Sequence, residues 1–457
     1  MKNKLIGDRA FYKRVLSLMI PIMIQTGITN FVNMLDNIMV GRLGTTQMTG
    51  VAVANQLVFV FNLCIFGAVS GAGIFGAQFF GKGDLENFKR TFRFKFLFCL
   101  TMAVIGILTF LIFGENLSLL YLRGEGNPAD AAASLATSVS YLKIMVWGLI
   151  PYAIVQCYSA SLRETGNAVP PMVTGLIAVF VNLILNYLLI FGNFGFPEMG
   201  IKGAALATVI SRFVEIITIV FWTHKNHQKN TFIKGVYKSF YIPLSLVKNI
   251  LAKGFPLMLN ESLWAFGMAV LNQSYSTKGL DVVAANNICS TFLNVFNVAF
   301  MSVGMAIGVI VGQQLGAGKF ETAKESAWRM IAFSVFVAVV VGMVYGVSGY
   351  FIPKMYNTTD AIRSMAFKLM LISAVCMPID AFSHSSYFVL RSGGNVLITM
   401  IFDSGFVCLV NAPVAFVLCN YTSLSIYAIF LTINLIGIVR DILGFMMVKK
   451  GSWVRTL

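Results

Sequence analysis

The sequence predicts an all-α polytopic membrane protein, with about twelve transmembrane helices in two six-helix bundles related by a parallel internal repeat. Three observations predict it: an apolar composition, basic residues gathered in alternate loops, and a repeat that keeps register at polar positions. Of 457 residues, 57% are hydrophobic and 11% are charged, and mean hydropathy is +0.79. One soluble core cannot bury so much apolar surface, so lipid must be the solvent. Apolar stretches place spans near 15–40, 51–80, 92–113, 136–158, 170–192, 200–222, 250–275, 284–312, 326–349, 362–389, 396–418 and 424–446. No soluble domain is left over. The seven cysteines lie singly in apolar segments without metal-ligand spacing and read as small apolar fillers.

Net charge is +16, a value that on one surface would suit nucleic acid. Here the cations alternate between loops instead. One side receives Lys2, Lys4, Arg9, Lys13 and Arg14, then Lys82, Lys89, Arg90, Arg93 and Lys95, then Lys225, Lys229, Lys234, Lys238, Lys248 and Lys253, and finally Lys449, Lys450 and Arg455. The opposite loops hold little more than Arg42, Arg123, Lys202, Lys278, Lys354 and Arg363. By the positive-inside rule both termini are expected in the cytoplasm, which requires an even number of spans. Membrane lipid, and no nucleic acid, is the expected neighbour of these charges. The first apolar stretch continues as a full span through Asn30, Asn33 and Asp36, so it does not read as a cleavable leader.

The repeat appears at an offset of 235: Pro21 matches Pro256, Phe61-Asn62 matches Phe296-Asn297, Gly73 matches Gly308, and Gln78 matches Gln313. Gly81-Lys82-Gly83 corresponds to Gly316-Ala317-Gly318. At an offset of 228, Leu162-Arg163 with Gly166-Asn167 matches Leu390-Arg391 with Gly394-Asn395, and Arg212 matches Arg440. Chance pairing of Leu-rich and Phe-rich helices does not hold register at Gln, Asn, Pro and Arg. Six spans per half give both halves the same orientation, an architecture in which two bundles rock around a central cavity. Residues 1–222 are expected to form the first bundle, 223–249 a cytoplasmic linker and 250–457 the second bundle.

Gly76 to Lys82 has the Gly and Lys spacing of a phosphate-binding loop, but Gly83 stands where Ser or Thr would hold magnesium, and the repeat copy lacks the Lys. It therefore reads as a helix end. With no nucleotide engine and no cofactor expected, active transport would draw on an ion gradient, which requires ionisable or oxygen-bearing side chains within the bilayer. Asp36, Glu261 and Asp380 lie well inside spans one, seven and ten, where a charge is costly unless it meets a partner or a watery cavity. Asn30, Asn33 and Asn37 flank Asp36 at helical spacing, while span five contributes Asn182 and Asn186 and span six Thr208. Glu261 is followed by Trp264, Met268 and Asn272, and Asp380 by Ser383, His384 and Tyr387. Span eight adds Asn287, Ser290, Asn294 and Asn297. Two sites are implied, one per half. Trp264, Met268, Met377 and Tyr387 would give the cavity a polarizable, aromatic wall that tolerates varied cations, with Asn33, Asn287, Asn294 and His384 as further lining. Asp403 with Arg440, and Arg212 with Glu215, read as structural ion pairs.

The Pro21 segment, Asp36-Asn37-Ile38-Met39-Val40-Gly41-Arg42, the Gly81-Lys82-Gly83 loop, Arg163 with Gly166-Asn167, Gly203-Ala204-Ala205 leading to Thr208, and the parallel repeat together resemble the multidrug and toxic compound extrusion (MATE) family over essentially the whole chain. Acids at Glu261 and Asp380 as well as Asp36 resemble its NorM-type branch. The resemblance implies that Asp36 with Asn182, Asn186 and Thr208 forms a first-half cation site, and that Glu261 and Asp380 form a second-half site; either could hold Na+. Asn186 departs from the pattern, standing where some members have an aspartate, and Cys376 stands where some have a tyrosine. The implied activity is not enzymatic. It is secondary active export of cationic organic compounds against Na+ or H+ by alternating access, from a monomer in the plasma (inner) membrane. A flippase for a lipid-linked saccharide is the alternative, and it would need a cationic cavity.

Overall fold

The computed structural model describes residues 5–122 and 128–457; Lys2, Lys4 and Arg123 lie outside the described residues. Its long helices are α1 (Arg9–Gly41), α2 (Thr45–Lys82), α3 (Leu85–Leu122), α4 (Pro128–Glu164), α5 (Val169–Phe191), α6 (Ile201–Lys225), α7 (Leu244–Ser276), α8 (Leu280–Gly316), α9 (Phe320–Ser348), α10 (Asp360–Ser392), α11 (Val396–Tyr421) and α12 (Ile426–Lys450). Among the described residues there is no strand, as lipid demands, because a helix satisfies its own backbone hydrogen bonds. Eleven of these helices are long and apolar enough to cross a membrane. The other, α7, has 33 residues, and the polar pair Asn260-Glu261 part-way along it lowers its hydropathy. Every expected span thus falls on a long helix.

The chain forms two compact units. The first holds Ile24–Gly76 and Leu85–Gly254; the second holds the chain up to Met23, Ala77–Asp84 and Phe255–Leu457. In the first, α3 packs on α4, α4 on α6 and α5 on α6; in the second, α9 packs on α10 and α10 on α12. The pairs α3–α4 and α4–α6 are the repeat counterparts of α9–α10 and α10–α12. The first core gathers Val40, Leu57, Tyr141, Leu142 and Ile190, and the second Leu271, Phe300, Tyr345, Leu369 and Ile429. Outward faces carry Ile112, Phe180, Ile217, Phe336 and Met343, each more than half exposed, as side chains dissolved in acyl chains should be.

The repeat is also written in backbone conformation. Gly83 and Gly318 end their helices at φ 78° and 72°, and Gly166 and Gly394 at φ 89° and 76°, left-handed positions where glycine carries no Cβ penalty. Gly76 to Lys82 is therefore the last two turns of α2, with Gly83 as its terminator. Within the second unit, a Cβ on Gly81 would overlap the backbone of Gln313, and one on Gly316 would overlap the backbone of Gln78. Gly81 and Gly316 are repeat partners, as are Gln78 and Gln313. This is the self-complementary contact that two-fold symmetry produces at its axis.

The segment after α6 is packed. Phe232, Ile233 and Val236 are buried. Phe232 meets Phe88 and Phe92 edge-on or tilted, Arg93 Nε donates to the Val236 carbonyl at 2.8 Å, and the Tyr158 and Tyr237 hydroxyls share a hydrogen bond. Aromatic side chains thus fasten a basic stretch onto the first unit.

The Gly81 and Gly316 crossing can be tested by substitution. Gly81→Val and Gly316→Val should each lower thermal stability in detergent, by about 1–3 kcal/mol or more since the clash is with backbone. Gly83→Asn, which tolerates the left-handed conformation, should cost far less. Equal stability of all three variants and the parent would remove the crossing from the account.

Candidate functional site

In the first unit, three helices bring four of the expected residues together. Asn182 and Asn186 stand one turn apart on α5, so both face Asp36 on α1 and Thr208 on α6. Asn186 Nδ2 donates to Asp36 Oδ1 at 2.6 Å and to Asn182 Oδ1 at 3.2 Å, and Asn182 Nδ2 donates to Thr208 Oγ1 at 3.3 Å. Thr208 Oγ1 donates in turn to the Ala204 carbonyl at 3.0 Å. Tyr141 on α4, which sequence reasoning passed over, lies beside Thr208 and Asp36. Asp36 forms no ion pair among the described residues. Asn186 is 1% exposed, and its Oδ1 is buried without a hydrogen-bond partner. A carboxylate with a neutral donor on one side and an orphaned acceptor oxygen nearby is short of positive charge. Asn33, one turn before Asp36, is exposed and outside this network.

The second unit treats its acids differently. Arg440 on α12 reaches Asp380 on α10 (NH2 to Oδ1, 3.4 Å) and Asp403 on α11 (NH1 to Oδ1, 3.7 Å). Its Nε donates to Ser383 Oγ at 2.9 Å, and Ser383 donates to the Asp441 carboxylate. The expected pair of Asp403 with Arg440 is present. Asp380, however, is not the unpaired acid that sequence spacing suggested, because Ser383, one turn beyond it, holds the guanidinium within reach. Asp441 is a further member of the cluster that sequence reasoning missed; its signal was the Arg440-Asp441 dipeptide inside a span. Glu261 on α7 lies beside Asp403 and Arg391. Its neighbour Asn260 donates to Asp403 Oδ2 at 3.1 Å and accepts from Ser404 Oγ at its own Oδ1, 2.6 Å. Asp403 sits where α11 widens into π turns, Ile401–Gly405 and Val407–Asn411, a backbone change frequent at functional positions.

Of the expected lining residues, Trp264, Asn287 and Asn294 are exposed, and Met268 packs partly buried against the second core. Met377 is 1% exposed within that core. His384 packs against Phe300, Tyr387 and Phe388, and Tyr387 is 5% exposed. Arg212 pairs with Glu215 at 3.5 Å and lies over the Tyr152 ring, as expected of a structural pair.

A third missed feature is the ion pair of Lys95 on α3 with Glu164 on α4. Lys95 Nζ is 2.8 Å from both carboxylate oxygens, and the two side chains are 0% and 6% exposed. Gly73 and Gly76 on α2 make room for the carboxylate, since a Cβ on Gly76 would overlap it. Removing one member should destabilise strongly, because the other is left charged in an apolar setting. Lys95→Met or Glu164→Leu should each cost about 3–5 kcal/mol in thermal or chemical unfolding, and the double variant less than the sum. Strictly additive losses would mean that the two charges do not stabilise one another.

The family model MatE matches the chain twice, over residues 21–188 and 256–417, and the two matches open on the repeat partners Pro21 and Pro256. The chain belongs to the MatE family. Among similar proteins, the probable multidrug resistance protein NorM of Thermotoga maritima is 26% identical over 450 residues, 96% of this chain and 93% of its own. The multidrug resistance protein MdtK of Pectobacterium atrosepticum is 25% identical over 372 residues, 81% and 79% of the two chains. A crystal structure of MATE in complex with MaL6 aligns at TM-score 0.88 and 19% identity, covering 99% of this chain and 98% of the other. A MOP superfamily transporter from Pyrococcus furiosus, described as having a binding pocket of reverse polarity and a different function, aligns at TM-score 0.87 and 19% identity, with coverage of 99% and 98%. The architecture is thus that of a NorM-like MATE transporter, a multi-pass membrane protein built from two repeats.

Proposed function

We propose that this chain exports small organic cations across the plasma (inner) membrane, with both termini in the cytoplasm, in exchange for Na+ or H+ by alternating access. The observation that carries the reading is the Asp36 network: a carboxylate within a span that accepts from the neutral Asn186 amide, which in turn links to Asn182 and Thr208, with the Asn186 oxygen unsatisfied beside it. A half-buried negative charge within a span and without a fixed counter-ion attracts a mobile one. Na+ would suit the oxygens of Asp36, Asn182, Asn186 and Thr208, while a proton would suit Asp36 alone. An organic cation competes for the same charge. Occupancy by one ligand then weakens the other, a negative coupling that needs no covalent chemistry. Similar proteins named for multidrug resistance support a small-molecule cargo.

The second-unit acids enter the cycle differently. Arg440 already serves as a tethered cation between Asp380 and Asp403, so a cation bound at Glu261 and Asp380 must displace it or share the carboxylates with it. The saccharide-lipid alternative has no comparable observation behind it, since buried Lys95 is neutralised by Glu164.

Everted vesicles with imposed sodium or proton gradients and a fluorescent organic cation test this reading. Asp36→Asn and Asn186→Ala should lower gradient-driven transport, the first at least tenfold, while folded protein remains abundant. Arg440→Gln should tighten apparent cation affinity yet weaken the dependence on the gradient. Normal pumping by Asp36→Asn would rule out this network as the coupling site.

A further inference from the structure

One face of the second unit carries a groove that plays no part in the transport reading. It is about 730 Å³ and runs between α9, α10 and α12, with Leu5 at its mouth. The α9 stripe along it is ordered: Glu321, Lys324 and Glu325 in the first turns, then Trp328, then Ile331, Ala332 and Val335. Phe382 and Phe445 complete the apolar floor, and Lys449 stands at the charged end. Residues three and four apart share a helix face, and Lys324 to Val335 spans about 16 Å at 1.5 Å per residue.

The groove is lined by two acids and two lysines, but both acids are engaged, Glu325 by an arginine outside the lining, which leaves one lysine over. Lys324 pairs with Glu321 at 2.7 Å and Arg329 with Glu325 at 3.2 Å. Lys449 forms no ion pair among the described residues, and its ammonium lies 5.8 Å from the centre of the Phe445 ring. The neighbouring Lys450 is exposed. Trp328 meets Phe445 edge-on at 5.3 Å, which sets an indole at the boundary between the charged and apolar parts, the depth at which Trp is enriched in membrane proteins.

We infer that this groove binds an anionic glycerophospholipid of the leaflet at the Lys449 end of the helices, with its phosphate on Lys449, its glycerol region beside Trp328, and an acyl chain along Ile331, Val335 and Phe382. The groove presents cation, indole and aliphatic surface in the order in which such a lipid presents phosphate, ester and hydrocarbon. A zwitterionic lipid would bring no net charge to answer Lys449. The site acts through lipid binding alone and requires no part of the transport cycle.

The test uses the full chain reconstituted in phosphatidylcholine bilayers containing increasing fractions of brominated phosphatidylglycerol or brominated phosphatidylcholine. Bromine quenches nearby tryptophans, and the parent signal minus that of Trp328→Phe isolates Trp328. Its quenching should show phosphatidylglycerol preferred by about fivefold, in keeping with the contribution of one lysine at an anionic surface. Lys449→Gln should bring the preference close to one while leaving Trp328 quenchable. Equal association of the two lipids with the parent would reduce the groove to ordinary lipid contact and overturn the inference. So would an unchanged preference in Lys449→Gln, or a Trp328 that neither lipid quenches, the latter meaning that protein, such as a second copy of the chain, covers the groove.

Discussion

The structure depends on one constraint: a charge placed among lipid-embedded helices must find a partner. Several acids in the spans meet a cation on the same or a neighbouring helix. Glu164 has Lys95, Glu215 has Arg212, and Asp380 and Asp403 divide Arg440 between them. These pairs fix how α3 meets α4 and how α10, α11 and α12 converge, and glycines are placed to admit them, as Gly76 does beside Glu164. Asp36 is held differently, by the Asn186 amide. Its hydrogen-bonded partner is polar but uncharged, and on the proposed reading this acid is the one left to an exchangeable ion.

That contrast separates the two halves of a molecule built by duplication. Gly81 and Gly316 close reciprocally on repeat-related backbone, and the glycines that end corresponding helices share the same left-handed conformation. Yet the polar interiors have diverged. The first half holds a compact amide and hydroxyl network around a single carboxylate. In the second half several acids surround one guanidinium, where α11 widens into π turns. Repeats of this kind need matching frames to rock against one another, but they need not carry matching ligands.

Much of this was legible in the sequence. Apolar runs of spanning length gave all twelve helices, since lipid permits few alternatives for a backbone, and the offset of 235 gave the repeat because Gln, Pro and Gly rarely coincide by chance in such helices. The Asp36 group was readable as well, since Asn182 and Asn186 share a helical face. What stayed hidden depends on which helices touch. Lys95 read as one of the cations at the basic end of the third span, whose expected start near residue 92 lies three residues before it, whereas α3 starts at Leu85 and buries Lys95 against Glu164. Asp380 read as unpaired because nothing in its own segment reveals that Arg440 crosses there. The stretch after α6 read as a linker by its lysines, and its packing through buried Phe232 and Val236 was not legible.

The central claim is that Asp36 holds a cation that an organic cation must displace. Its most direct test is equilibrium binding of a fluorescent organic cation to the purified chain, titrated with Na+ and separately with acid. The account predicts that one of the two ions weakens cation binding in the parent by an apparent competition, and that Asp36→Asn both loosens the cation and abolishes that competition. Unaltered cation affinity, with the same ion dependence, in Asp36→Asn would contradict it.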